Sequence, residues 1–201
     1  MTENVMAGKK RPMAILSGIN QKRIFRNILK SSRTRLYRMA YAWTHDPALA
    51  DDLVQQTYYK ALRNQRQLRD IDAADAWLFR ILANCLTDHH RARREMLSDD
   101  EVIQVEKRTP EHAAQDDQIA ERVRQAVRTL PLPQRQVVTL VDLEGFAYAA
   151  VAQILDIPVG TVMSRLSRGR RALREHLLEN DAFAMTKADS SSSPPRMRRV
   201  K

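Results

Sequence analysis

Apolar residues recur at helical spacing along most of the chain. Over residues 33–44 the positions Leu36, Tyr37, Ala40, Tyr41 and Trp43 follow that spacing, and His45-Asp46-Pro47 interrupts it. Asp46 can accept a hydrogen bond from a free backbone N–H and Pro47 suits a first helical turn, so the pair starts a second helix. In that helix Leu49, Leu53, Val54, Thr57, Tyr58, Ala61 and Leu62 form an inward stripe. The opposite stripe, Asp52, Gln55, Gln56, Tyr59, Lys60 and Arg63, is polar with one aromatic in its middle. It is either the solvated side of any amphipathic helix or a face held open for a partner. After a polar stretch at 64–75, a third helix turns Trp77, Leu78, Ile81, Leu82, Cys85 and Leu86 inward and Arg80, Asn84, Thr87, Asp88 and Arg91 outward. Its basic end, Arg91, Arg93 and Arg94, suits the helix dipole as well as it suits phosphate.

The pattern dissolves over residues 97–117, an acidic stretch containing Pro110 that reads as a linker. A new helix carries Ile119, Val123, Ala126, Val127 and Leu130 and stops at Leu130-Pro131-Leu132-Pro133. Residues 134–144 follow with Val137, Val138, Leu140, Val141 and Leu143, ended by Gly145. A short helix at 149–155, a tight turn at Asp156-Ile157-Pro158 and a longer helix at 159–178, with Val162, Leu166 and Leu173 inward, have helix-turn-helix spacing. The last of these holds Arg165, Arg168, Arg170, Arg171 and Arg174 with no acidic residue before Glu175, an excess that DNA explains economically. Thr161, Met163, Ser164, Arg165 and Arg168 lie in the half that reaches base edges; Arg171 and Arg174 lie where phosphates are nearer.

Residues 1–30 are basic and poorly periodic, although Ile15, Ile19, Ile24 and Ile28 could line part of a helix; they read as an extension. Residues 181–201, serine-rich, proline-containing and basic, read as a disordered tail. The expected organisation is therefore a helical domain at 31–96, a linker at 97–117 and a helix-turn-helix domain at 118–180.

Charge agrees with a nucleic-acid partner. Of 201 residues, 34 are lysine or arginine against 24 aspartate or glutamate, a formal charge of +10 that favours a polyanion. The single cysteine, Cys85, excludes an internal disulfide and fits a reducing compartment. No cysteine and histidine cluster has metal-ligand spacing, so neither a metal nor a cofactor is expected. Adjacent His89 and His90, beside Asp88, point to different helix faces, which argues against an acid–base or metal site and against an enzyme. The apolar run at 13–16 is too short for a signal-peptide core and nothing spans a bilayer, so a cytoplasmic, soluble protein with no membrane insertion is expected.

Two separated stretches resemble one family. Residues 36–95, above all Asp51-Asp52-Leu53-Val54-Gln55-Gln56-Thr57, Ala76-Trp77-Leu78-Phe79-Arg80-Ile81 and the segment 84–89, are similar to region two of the extracytoplasmic-function (ECF) sigma factors of the sigma-70 family. Residues 130–173, with Pro158-Val159-Gly160-Thr161-Val162-Met163-Ser164-Arg165-Leu166, are similar to their region four. The resemblance implies an all-α, two-domain initiation subunit, not an enzyme, that docks on core RNA polymerase and directs it to promoter DNA. It places Asp51, Asp52, Gln55, Gln56 and Tyr59 on the polymerase clamp and Arg80, Asn84, Asp88 and Arg91 at the start-proximal (minus-10) element, where an unpaired base is trapped. It places Thr161, Met163, Ser164, Arg165, Arg168 and Arg171 at the upstream (minus-35) element. It also implies an anti-sigma factor as partner and a monomer when free. The chain departs from the pattern at Gln56, where glutamate is usual, at His90, at Asp156 in place of a turn glycine, and at Ala149-Ala150, where the family is often acidic. The alternative is a stand-alone helix-turn-helix regulator, which leaves residues 36–95 unexplained.

Overall fold

The computed structural model describes the backbone of residues 18–96 and 115–190, and side chains within 20–95 and 121–178. Among the described residues every regular element is helical: α1 (Gly18–Thr44), α2 (Pro47–Arg63), a 3-10 turn (Gln65–Gln67), α3 (Ala74–Met96), α4 (Gln115–Thr129), α5 (Leu132–Val138), a π-helical turn (Thr139–Leu143), α6 (Tyr148–Leu155) and α7 (Val159–Ser190). The all-α expectation holds. Most of the expected linker, and the tail beyond Ser190, fall outside the described residues.

The first body is α1, α2 and α3 packed on one another. Asp46, extended at φ −120°, caps α2 by accepting from the N–H groups of Ala48 and Leu49, as the sequence predicts. Leu36, Leu53, Leu78, Leu82 and Leu86 are buried between the three helices, each contributing about 1.5–3 kcal/mol of apolar transfer. Two expectations need correction. Residues 18–30 are not an appendage but the first half of α1: Phe25 and Leu29 are buried, Phe25 against Trp77 with ring centroids 6.2 Å apart. Leu62, expected inward, is 53% exposed and joins the outer face of α2.

The second body is α4 to α7. Asp156, at φ +53°, ends α6 in the left-handed conformation that aspartate tolerates better than most residues, so the turn into α7 forms without glycine. Gly145, at φ +74°, stops the preceding π turn. Val151, Ile154, Val162 and Leu166 bury the corner between α6 and α7. α7 continues past the expected end at 178 to Ser190, so residues 181–190, expected as part of a disordered tail, are helical.

The two bodies share an interface, and their buried residues form one core cluster. The Trp43 indole N–H donates to Thr139 Oγ1 at 2.9 Å, both residues buried. Phe79 of α3 meets Phe146, just ahead of α6, edge to face at 5.3 Å. Arg35 of α1 holds Asp75 in its own body and Glu144 in the other, the second at 2.7 Å. Arg128 donates to the Tyr41 hydroxyl at 2.7 Å, and Arg135 to the Trp43 carbonyl at 2.8 Å.

Candidate functional site

Three surfaces emerge from the helices. On α2, Asp51, Asp52, Gln55, Gln56 and Tyr59 are all exposed, and helical spacing places them with Leu62 and Arg63 on one outward arc. Tyr59 is 60% exposed; the Arg63 guanidinium lies 5.7 Å from its ring centroid and donates to its hydroxyl at 3.2 Å. Tyr59 and Leu62 thus form an apolar centre ringed by polar groups, the composition of a protein-docking patch. Pattern reading assigned Leu62 to the core because it sits one residue beyond buried Ala61. Its seven-residue spacing from Gln55 was the signal for the other face.

On α3, Arg80, Asn84, Asp88 and Arg91 are exposed and share one stripe with Thr87. Beside this stripe a cleft of about 360 Å³ opens between α2 and α3, lined by Lys60, Gln67, Trp77, Ile81, Asn84 and Asp88 among others. Trp77 and Ile81, both expected inward, are half-buried and supply its apolar wall. Lys60 bridges to Asp88 at 2.7 Å, and that bond raises its pKa against the opposing effect of burial. Asp88 is therefore spoken for by α2, while Asn84 keeps its amide free of any hydrogen bond among the described residues. Cys85 is buried behind the cleft, and burial pushes its thiol up, away from the reactive thiolate.

On α7, Val162, Leu166 and Gly169 face inward, which leaves Ser164, Ser167, Arg168 and Arg171 along the crest. Thr161 and Arg165, both half-buried, lie on one flank of that crest. Met163 lies on the other, 52% exposed, lining a shallow groove with Tyr148, Ser167, Arg170, Arg171 and Arg174. The arginines are not equivalent. Arg170 forms a two-point pair with Asp142, Nε to Oδ2 at 3.1 Å, whereas Arg165, Arg168 and Arg174 form no ion pair among the described residues. Arg171 reaches Glu175 only loosely, at 3.7 Å. Tyr148 and Ser167 were missed by sequence reading: the first is on another helix, and the second is a small residue with no distinguishing pattern.

Among the described residues no group of three histidine, cysteine, aspartate or glutamate side chains could hold a metal ion, and no helix is long and apolar enough to cross a membrane.

An open helix face with an apolar centre, an arginine-bearing stripe beside a cleft and a helix-turn-helix with an arginine crest are surfaces suited to a protein partner and to DNA. The chain matches the family descriptions "Sigma-70 region 2" over residues 28–95 and "Sigma-70, region 4" over residues 120–173, in that order. It is 30% identical over 168 residues to the RNA polymerase sigma-H factor of Pseudomonas aeruginosa, covering 78% of this chain and 87% of that one. It is 30% identical over 160 residues to the ECF RNA polymerase sigma factor SigE of Mycolicibacterium smegmatis, covering 77% of this chain but only 62% of that longer relative. Among solved structures, the sigma factor RpoE of Bartonella quintana, crystallised with the anti-sigma factor NepR, is similar with a TM-score of 0.66 and 28% identity, over 79% of this chain and 96% of that one. The chain belongs to the ECF group of RNA polymerase sigma factors.

Proposed function

We propose that the chain binds core RNA polymerase and carries it to promoters, with each surface given one task. The α2 face, Asp51, Asp52, Gln55, Gln56 and Tyr59 with Leu62, docks on the polymerase. Arg80, Asn84 and Arg91 of α3 hold the minus-10 element, and the neighbouring cleft receives an extruded base against Trp77 and Ile81. Asp88 serves that site by holding Lys60 in place. Thr161, Met163, Ser164, Arg165, Arg168 and Arg171, joined by Ser167, read the minus-35 element. The functional units are residues 18–96 and 118–180, the first lengthened at its start to include all of α1.

The energetics need no catalysis. Extruding one base costs a few kcal/mol of stacking and pairing. Stacking on an aromatic wall returns about 1–3 kcal/mol per base, and arginines on neighbouring phosphates add to it, so the duplex is biased toward opening without a nucleotide cofactor. An anti-sigma factor is the regulatory partner this reading expects, by analogy with the complex in which the Bartonella protein was solved.

The carrying observation is that both region matches fall, in order, on the two helical bodies, and the reading is supported by the exposure of Gln55 and Tyr59 on α2, Arg80 and Asn84 on α3, and Arg168 and Arg171 on α7. The test is run-off transcription of fragmented genomic DNA by core enzyme with and without the protein. Discrete protein-dependent start sites are expected. Specific DNA binding without polymerase, and no protein-dependent transcripts, would support the stand-alone regulator instead.

A further inference from the structure

Where α1 meets α4 and α5 of the other body stands His45, in the corner joining α1 to α2 and held at φ +58°. Its imidazole stands edge-on to Tyr41, centroids 6.5 Å apart. From the other body, Arg128 of α4 lies over the same tyrosine at 5.8 Å, and Arg135 of α5 threads into the corner. The Arg135 terminal nitrogens donate to the carbonyls of Trp43, Arg128 and Leu130 at 2.8, 3.0 and 2.8 Å. Two buried atoms here have no hydrogen-bond partner among the described residues: Arg135 Nε, a donor, and His45 Nε2, which can accept only while the ring is neutral.

We propose that this corner is a proton-operated latch. With His45 neutral, α4 and α5 close on it; an imidazolium, set against Arg128 and Arg135, drives the two bodies apart.

Among the described residues the charges that act most on the His45 ring are cationic. Tyr41 on α1 contributes a neutral ring, Arg128 and Arg135 contribute two cations, and the adjacent Asp46 carboxylate is committed to the N–H groups of Ala48 and Leu49. Burial first, then Arg135 and Arg128, lower the His45 pKa from 6.5 to about 4. Once the bodies part, both arginines leave and the ring returns toward its ordinary value. Closure is therefore fully supported above about pH 6.5 and is progressively lost as pH falls toward 4. At pH 5.5 the open state gains about tenfold over its share at neutral pH. Side-chain carboxylates titrate mostly below that window, near 4, and Arg135, although lowered to about 10, stays cationic throughout.

The latch bears on function through distance, a consequence that rests on the proposed reading of two promoter elements. Elements about 25 base pairs apart lie about 85 Å apart on B-DNA, whereas a compact body of this chain length averages about 45 Å across and its longest helix, α7 with 32 residues, is about 48 Å long. The closed form cannot span both, so opening precedes promoter binding.

The experiment needs neither polymerase nor DNA, so its failure is distinct from failure of the sigma-factor reading. Thr139, buried against Trp43, is replaced by cysteine in a Cys85→Ala background, and its modification by a methanethiosulfonate is timed from pH 7.5 to 5.5. Each rate is divided by that of an exposed Ser167→Cys control at the same pH, which yields the open fraction even when it is small. The ratio should rise about tenfold. It should stay flat when His45 is also replaced by asparagine, which tolerates the left-handed backbone and carries no proton. His45→Lys should give a high ratio already at pH 7.5. A flat ratio with His45 present, or an equal rise in the His45→Asn protein, overturns the latch. Circular dichroism at each pH separates domain opening from unfolding.

Discussion

At Gly169 α7 lies directly against α5. A Cβ there would meet Val138 Cγ2 at 2.6 Å, inside any tolerable contact, and Val138 is itself buried. Gly169→Ala gains helix propensity of up to about 1 kcal/mol but overpacks the core by roughly 1–3 kcal/mol. A net loss of stability is expected, read as a lower midpoint of thermal unfolding; a midpoint equal to or above that of the parent would show that α7 can slide away. The arginines of the same helix divide by their partners. Arg168→Ala should reduce minus-35-dependent transcription by roughly tenfold or more if the residue reads a base, the usual cost of such a contact being about 1–3 kcal/mol. If it grips phosphate, the loss should be uniform across sequences and the salt slope of binding should fall by about one. Arg170→Ala should mainly loosen Asp142. Promoter titrations at several salt concentrations compare the two substitutions, and equal losses would contradict the division. Arg168 was legible because charge excess and helical position are sequence properties. The Arg170–Asp142 pair was not, because its members sit on different elements 28 residues apart.

Helices α2 and α3 were read nearly as they stand, since both carry wide apolar stripes and α2 a sequence-visible cap. The edges of the apolar stripes were less legible. Leu62 lies where the buried arc of α2 runs out, and periodicity cannot say how far a neighbouring helix reaches. The first half of α1 was obscured by its basic residues, and its burial depends on Trp77, some fifty positions away. Because Tyr59 and Leu62 are both more than half exposed, Tyr59→Ala with Leu62→Ala should leave unfolding within about 0.5 kcal/mol of the parent. The same pair should weaken core polymerase binding tenfold or more if they form the apolar centre of the docking patch. Competition binding against the parent protein measures this; undiminished affinity would remove the patch from the polymerase interface.

The arrangement of the two bodies was the least legible feature, because every bond across it joins residues far apart in the chain and none belongs to a repeating pattern. Thr139 reads as an ordinary helix residue until Trp43 is seen against it, and Arg35 as one more surface cation of a basic helix. Arg35 shows what holds the closed form. Burial disfavours its charge, but bonds to Asp75 and Glu144 outweigh that and raise its pKa overall. Its guanidinium also lies 5.6 Å from the centre of the Phe79 ring, which in turn meets Phe146. The Glu144 side chain is only 7% exposed, so Arg35→Gln leaves a carboxylate nearly buried with no cation beside it. Leaving a fully buried charge unpaired costs about 3–5 kcal/mol, and the one-third exposure of Arg35 reduces this to roughly 1–3 kcal/mol after screening. Parting the two bodies returns Glu144 to water without melting their helices, and so offers a way around that cost. Arg35→Gln should therefore raise the radius of gyration in small-angle X-ray scattering at neutral pH with helicity unchanged. Adding Glu144→Gln, which replaces the stranded charge with an amide, should restore compactness. A double variant as expanded as the single one would mean that the lost cation–π contact, and not the stranded carboxylate, opens the molecule.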